Sequence, residues 1–188
     1  MTFAAFSSNQ GMIVSQIFPL LESQEISPGM TVLFASCIGP MQVVARLILF
    51  VTENFGNKKI PIMAVCLTSL ICLSLSSLAL AMGGNFLILV VLFVIFQGGP
   101  YGLFSIVKPV ITAEMLGRVN FGLLSSMVGI GSVSGSALAP GIAGSIADRW
   151  NYDTVLITTS SISAVGLMIF LTTVVFQRKN PFKLESVN

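Results

Sequence analysis

The sequence has no histidine and few charged residues, with nine Lys and Arg and seven Asp and Glu among 188 residues. Histidine is the commonest catalytic base and metal ligand, so its absence disfavours most acid–base enzymes and metal sites. Charged residues make up 9% of the chain, whereas a soluble domain carries about 25%. A formal charge of +2 offers no broad basic face for nucleic acid. These shortages leave an integral membrane protein as the best interpretation.

Catalytic and cofactor motifs are also missing from the sequence. There is no P-loop, no pair of catalytic acids and no Ser–His arrangement, so we expect no enzyme activity and no cofactor. Three cysteines, Cys37, Cys66 and Cys72, lie in apolar segments without metal-site spacing, and we expect them to be packing residues rather than metal ligands.

Long apolar segments dominate what is present. A membrane-spanning helix needs about 20 apolar residues, and five segments of that length contain no charged side chain, while a sixth holds only Arg46. The run 86–96 shows no period-two alternation, which argues against strands. The sequence predicts an all-α polytopic bundle in the lipid bilayer, with a six-helix transmembrane domain over 1–177 and a cytoplasmic tail over 178–188. The predicted spans are 1–21, 30–52, 60–82, 85–107, 119–147 and 154–177.

The distribution of basic residues predicts the orientation. Lys and Arg collect in cytoplasmic loops. Placing the loop 22–29 outside leaves only Arg149 on the outer side and puts the C-terminus in the cytoplasm of a plasma or bacterial inner membrane. Residue 1 opens directly in an apolar span, so we expect a preceding segment to be missing. The basic residues predicted inside are Lys58, Lys59, Lys108, Arg118, Arg178, Lys179 and Lys183.

Several segments resemble the C-terminal half of a major facilitator superfamily (MFS) transporter. They are QIFPLLESQEIS at 16–27, IGPMQVVARL at 38–47, the Gly-rich 97–122 and APGIAGSIADRWNYD at 139–153. The resemblance implies two three-helix repeats, with Gly39-Pro40 and Ala139-Pro140 as corresponding pairs. It also implies alternating access against a second six-helix half, which we expect to be either a missing N-terminal half or another copy.

Two loops resemble motifs of this superfamily. The acid, glycine and last base of its turn between helices eight and nine correspond to Glu53, Gly56 and Lys58. This loop is either a gating element or a basic turn whose glycine allows tight chain reversal. The segment 144–149 resembles the other loop motif, which is cytoplasmic and would invert the orientation. We keep the orientation that the charge bias predicts.

The second span carries a candidate substrate-binding face. Gly39, Gln42 and Arg46 are spaced to share one side of a helix. Arg46 would lie about 9 Å from the cytoplasmic end, where it either snorkels to the surface or binds an organic anion through its guanidinium group. The segment VVARL also resembles monocarboxylate-type members, although Gln42 stands where they carry an Asp.

Polar residues on the first and fourth spans complete the candidate site. Gln97 and Tyr101 begin a polar stripe that continues towards Lys108, and Gly98-Gly99-Pro100 is expected to interrupt that helix near mid-membrane. On the first span, Asn9 and Gln16 are spaced to share a face. For each of these spans, a structural alternative stays open, namely a kinked packing helix or a helix–helix hydrogen bond.

The fifth span is rich in small residues, including Gly131-x-x-x-Gly135, which allow close helix packing. No carboxylate lies at mid-membrane to carry a proton. The sequence therefore predicts transport of a small solute, with a non-transporting membrane subunit that regulates a partner protein as the alternative.

Overall fold

A computed structural model describes residues 1–55, 60–82, 86–116 and 120–179, and the regular structure within these ranges is α-helical. The prediction of an all-α bundle is therefore confirmed for these residues. The described residues form seven helices: α1 (Thr2–Ser15), α2 (Ile17–Glu22), α3 (Pro28–Phe55), α4 (Ile62–Ala81), α5 (Leu87–Leu116), α6 (Phe121–Arg149) and α7 (Tyr152–Lys179).

Five of these helices, α3 to α7, are long and apolar enough to cross a membrane, which is compatible with a multi-pass membrane protein. The first predicted span is instead divided into α1 and α2 at Gln16. Pro19 explains the division, because a proline ring clashes with the carbonyl group four residues earlier, which here belongs to Ser15. Pro19 is tolerated at the third position of α2, where an N–H group has no partner inside the helix.

Helix α5 differs from the prediction. It runs without a break from Leu87 to Leu116 and contains both Pro100 and Pro109, so the expected interruption at Gly98-Gly99-Pro100 is wrong. Packing overrides the helix-breaking tendency here, because Gly98 and Gly102 lie directly against the backbone of α3. The helix also continues nine residues beyond the predicted end at 107.

Helices from the first half of the chain pack mainly against helices from the second half. The principal contacts join α3 to α5, α4 to α5, α4 to α7, α1 to α6 and α1 to α7. Exchanging α1 with α5, α3 with α6 and α4 with α7 gives the same five pairs of contacting helices. Helices α3 and α6 have large exposed apolar side chains along most of their length.

Two apolar clusters form the core, and a polar layer separates them. On α1, Met12 belongs to one cluster and Phe6 to the other, with Asn9 and Gln10 between them. Buried polar residues divide the two clusters on α4, α5 and α7 in the same way, at Ser76 and Ser77, at Gln97, and at Thr159 and Ser163. The middle of the bundle is therefore crossed by hydrogen-bonding groups.

Candidate functional site

A cavity of about 570 Å³ opens beside this polar layer. That volume lies within the usual range for small-molecule sites, about 300–1,000 Å³. The lining comes from α1, α2, α3, α5 and α6. Its residues are Ser7, Gln10, Gly11, Val14, Ser15, Ile17, Ala35, Ile38, Gly39, Gln42, Tyr101, Ser136 and Pro140.

The lining is uncharged throughout. Its polar groups are two carboxamides, three hydroxyl groups of serine and the phenol of Tyr101, and the remaining residues are aliphatic, glycine or proline. Among the residues that the structure describes, no Asp, Glu, Lys or Arg lines this cavity. The arrangement suits hydrogen bonding to an uncharged group, with apolar contact on the remaining sides.

The structure divides the six predicted site residues into three pairs. Gln42 and Tyr101 line the cavity. Asn9 and Gln97 lie behind it and are fully buried, with 0% of their surface exposed. Gln16 and Arg46 are absent from the described lining. The six residues predicted to bind substrate therefore do not form one surface.

Gln97 is the centre of a buried hydrogen-bond network. Its amide nitrogen donates to Asn9 Oδ1 at 3.0 Å and to Gln10 Oε1 at 2.9 Å. Ser76 Oγ donates to Gln97 Oε1 at 2.7 Å. Both N–H groups of the Gln97 amide and its oxygen therefore have partners, as a buried carboxamide requires.

Asn9 extends the network to α7. Its amide nitrogen donates to the backbone oxygen of Thr159 at 3.2 Å and to Ser163 Oγ at 2.8 Å. Thr159 Oγ1 in turn donates to Ser77 Oγ at 3.2 Å. These bonds join α1 and α4 to α5 and α7, so the network ties together helices that are distant in the sequence.

Gln10 is one of the polar cavity residues that the sequence interpretation missed. It is only 6% exposed, lines the cavity and accepts the hydrogen bond from Gln97. One signal was present in the sequence, because the dipeptide Gln-Gly occurs both at 10–11 and at 97–98. The two glutamines contact each other in the folded chain.

Arg46 is an exposed residue of α3 whose Nε donates to the backbone oxygen of Gly102 at 2.8 Å. This bond holds the guanidinium group against α5, one helical turn beyond Gln42. Anion binding by Arg46 stays a prediction.

Tyr101 belongs to an aromatic cluster at one side of the cavity. The rings of Phe6 and Phe104 stack with their centroids 4.0 Å apart, and Tyr101 lies 6.2 Å from each. Lys108 Nζ lies 5.9 Å from the centre of the Phe104 ring, which is a cation–π contact. The predicted polar stripe of α5 therefore passes from the buried Gln97 to an aromatic surface.

The remaining predicted residues are not among the described residues that line the cavity. Gln16 Nε2 lies near α6, 3.7 Å from the position that a Cβ on Gly144 would occupy. Glu53 is exposed near the end of α3, while Gly56 and Lys58 lie outside the described residues. No cluster of three or more potential metal ligands occurs in the described parts of the chain, where all three cysteines are free.

Comparison with known proteins adds no assignment: no protein-family model, no curated protein and no solved structure matches the chain. The packing of the helices and the cavity are therefore the features that bear on function.

Proposed function

We propose that the chain is one six-helix half of an MFS-type permease, which moves a small solute by alternating access. The observation that carries the proposal is the exchange relation among the helix contacts, in which α1, α3 and α4 pack as α5, α6 and α7 do. Transporter halves of this kind consist of two three-helix units related by a pseudo-twofold axis in the membrane plane, with substrate bound near mid-membrane.

Two glycines support this relation at the level of atoms. A Cβ on Gly11 would meet the Ser136 backbone oxygen at 3.0 Å and Ala139 Cβ at 2.8 Å. A Cβ on Gly98 would meet an oxygen and a Cβ with the same three-residue spacing, those of Ile38 at 2.7 Å and Met41 at 2.8 Å. Gly11 and Gly98 therefore occupy equivalent places in α1 and α5.

The equivalence also gives a register for the two triplets. It matches residue 38 with residue 136, whereas pairing Gly39-Pro40 with Ala139-Pro140 requires 38 to match 138. The two proline dipeptides are consequently two residues out of register. Proline is tolerated within both α3 and α6, so its position in each helix is less constrained than that of a glycine packed against a neighbouring backbone.

In this proposal, α1 and α2 together form the first of six spans. They cover residues 2–22 with a break at Gln16, and their combined length suits a bilayer core of about 30 Å. The second bundle, either another six-helix half or a second copy, would cover the cavity from the side of α3 and α6. Both of these helices contribute to the cavity lining and have exposed apolar surfaces.

Accessibility from the two sides of the membrane tests the proposal. In a chain whose three native cysteines are replaced by alanine, Ser136→Cys reports on the cavity and Val133→Cys is its control. Val133 lies on the same helix, is 66% exposed and is absent from the described lining. Both variants are treated with a membrane-impermeant maleimide in right-side-out and in inside-out vesicles.

Alternating access predicts that Ser136→Cys reacts in both vesicle orientations and Val133→Cys in neither. Retention of carboxyfluorescein by the same vesicles excludes a permanently open pore. Labelling of Ser136→Cys from a single side contradicts the proposal and favours the non-transporting subunit. That alternative has some support on α6, where a Cβ added to Gly129, Gly131 or Gly141 would meet no atom within 4 Å.

A further inference from the structure

We infer that the cavity binds an uncharged, amphipathic solute, which presents a hydrogen-bond acceptor to the amide nitrogen of Gln10. The inference rests on the proposed transport function and names the class of solute for the same site. It also assigns Gln97 and Asn9 as positioning residues, because they determine which end of the Gln10 amide faces the cavity.

The assignment of donors and acceptors in the network starts from a backbone carbonyl group. Thr159 O can only accept, so the Asn9 group facing it at 3.2 Å must be the amide nitrogen. The Asn9 nitrogen also donates to Ser163 Oγ, which uses both of its N–H groups. Asn9 Oδ1 is therefore the atom that faces Gln97, and the group of Gln97 that meets it must donate.

The same reasoning determines the orientation of the Gln10 carboxamide. The amide nitrogen of Gln97 uses one N–H group on Asn9 Oδ1 and the other on Gln10 Oε1, while Ser76 Oγ donates to the Gln97 oxygen. The oxygen of Gln10 is thereby directed towards the network. The amide nitrogen is the other end of this carboxamide, and the Gln10 side chain lines the cavity.

The Gln10 nitrogen lacks a partner in the part of the chain that the structure describes, although the side chain is only 6% exposed. A buried N–H group without an acceptor is unfavourable, and a solute oxygen in the cavity would supply one. A carbonyl, ether or hydroxyl oxygen has the required chemistry.

The lining argues for an uncharged solute. Burying an ion is unfavourable unless a counter-charge accompanies it, and the described lining holds none. Val14, Ile17, Ile38 and Pro140 offer apolar contact, whereas the guanidinium Nε of Arg46 is engaged with Gly102 O. An uncharged polar group attached to an apolar body fits these surfaces.

Equilibrium dialysis of the full chain in nanodiscs tests the inference, with protein-free nanodiscs correcting for lipid partitioning. The probes form two series, and within each series they share a ring and differ in charge. The first series is cyclohexanecarboxamide, cyclohexanecarboxylate and cyclohexylmethylammonium, and the second is benzamide, benzoate and benzylammonium. We expect at least one carboxamide to bind about tenfold more tightly than its carboxylate and ammonium counterparts. Gln10→Met should weaken that binding about tenfold, whereas Ser105→Ala, at an exposed position outside the described lining, should leave it unchanged.

A change of selectivity tests the positioning role. In Gln97→Met the Gln10 amide is free to turn its oxygen towards the cavity, so binding of the ammonium probe should rise relative to the carboxamide. Loss of packing alone would weaken both probes together. If Gln97→Met does not fold, Ser76→Ala is measured in the same way; it removes the hydroxyl that contacts Gln97 Oε1 and the backbone oxygen of Leu73.

Three results would overturn the inference: no binding of either carboxamide, unchanged binding in Gln10→Met, or preferred binding of a carboxylate that is lost in Arg46→Gln. The last result would identify Arg46 as the anion site. Binding is measured here without transport, so each of these results leaves the test at Ser136 unaffected. Conversely, one-sided labelling of Ser136→Cys would leave the binding selectivity intact.

Discussion

Gly102 of α5 lies against the backbone of Gln42 in α3, so closely that a Cβ on Gly102 would come within 2.7 Å of the Gln42 Cα atom. Gly98, one turn earlier, approaches the carbonyl oxygen of Ile38 to a similar degree. The two glycines have the four-residue spacing that allows helices to approach closely in membranes. Arg46 also reaches Gly102, by donating to its backbone oxygen.

This contact predicts that Gly102→Ala destabilises the bundle. The added methyl group would collide with main-chain atoms, which can move only if the helices separate, and overpacking of this kind costs about 1–3 kcal/mol. The free energy of unfolding, measured by SDS titration in mixed micelles, should fall by this amount. Gly131→Ala is the matched control, because its Cβ would meet no atom within 4 Å and alanine favours a helix. An equal loss in both variants would contradict the prediction.

The equivalence of Gly11 and Gly98 gives a second prediction. Since a Cβ at either position would meet a carbonyl oxygen and a Cβ at 2.7–3.0 Å, Gly11→Ala and Gly98→Ala should lower the free energy of unfolding by similar amounts, about 1–3 kcal/mol each. The same micelle titration measures both. If only one substitution is destabilising, the two glycines are not equivalent in packing.

The buried network predicts that Gln97→Leu is destabilising. This change removes three hydrogen bonds and leaves the polar groups of Asn9, Gln10 and Ser76 without a partner at that point. Individual bonds of this kind in membranes are worth about 0.6–2 kcal/mol, so we expect a loss of about 2–4 kcal/mol in the free energy of unfolding. Ser105→Ala, at an exposed position of the same helix, should change it by less than about 0.5 kcal/mol.

The positive-inside bias predicts which loop faces outwards. In a chain without native cysteines, Ser23→Cys should react with an impermeant maleimide in intact cells, whereas Glu53→Cys should react only after permeabilisation. Both positions are exposed in the structure. The reverse pattern would invert the orientation and agree with the resemblance of segment 144–149 to a cytoplasmic loop.

Replacement of Arg46 separates its packing role from a binding role. Because its described hydrogen bond is with the Gly102 backbone oxygen, Arg46→Ala should lower the free energy of unfolding by about 1 kcal/mol. Binding of the carboxamide probes should change less than about twofold. The alternative role of Arg46 as an anion site requires instead that Arg46→Ala abolishes anion uptake while leaving uptake of an uncharged solute intact.

The helices were predictable from the sequence because their signal is simple. A segment of about 20 apolar residues without charge has few alternatives in a bilayer, and five predicted spans correspond to α3–α7. The ends were harder to predict. The uncharged segment stops before Lys108, which suggested an end at residue 107, but α5 continues to Leu116, since helix termini depend on loops and lipid contacts more than on hydropathy.

The site was only partly predictable, for a different physical reason. Helical spacing shows that two polar residues share a face, but not whether that face meets a cavity or another helix. Gln42 and Tyr101 line the cavity as expected, whereas Gln97 is saturated by hydrogen bonds from neighbouring helices. Gln10 was overlooked because its role depends on Gln97, which lies 87 residues away in the chain.

The hydrogen bonds that cross the middle of the bundle also constrain the order in which the protein can be completed during synthesis. Asn9 is made first, yet its partner Ser163 follows 154 residues later. Ser77 likewise waits for Thr159, 82 residues further along. Polar groups of α1 and α4 are therefore synthesised well before their final acceptors and donors exist, and these contacts are complete only when α7 has left the ribosome. A nascent chain that ends before α7 would be the form most exposed to membrane quality control.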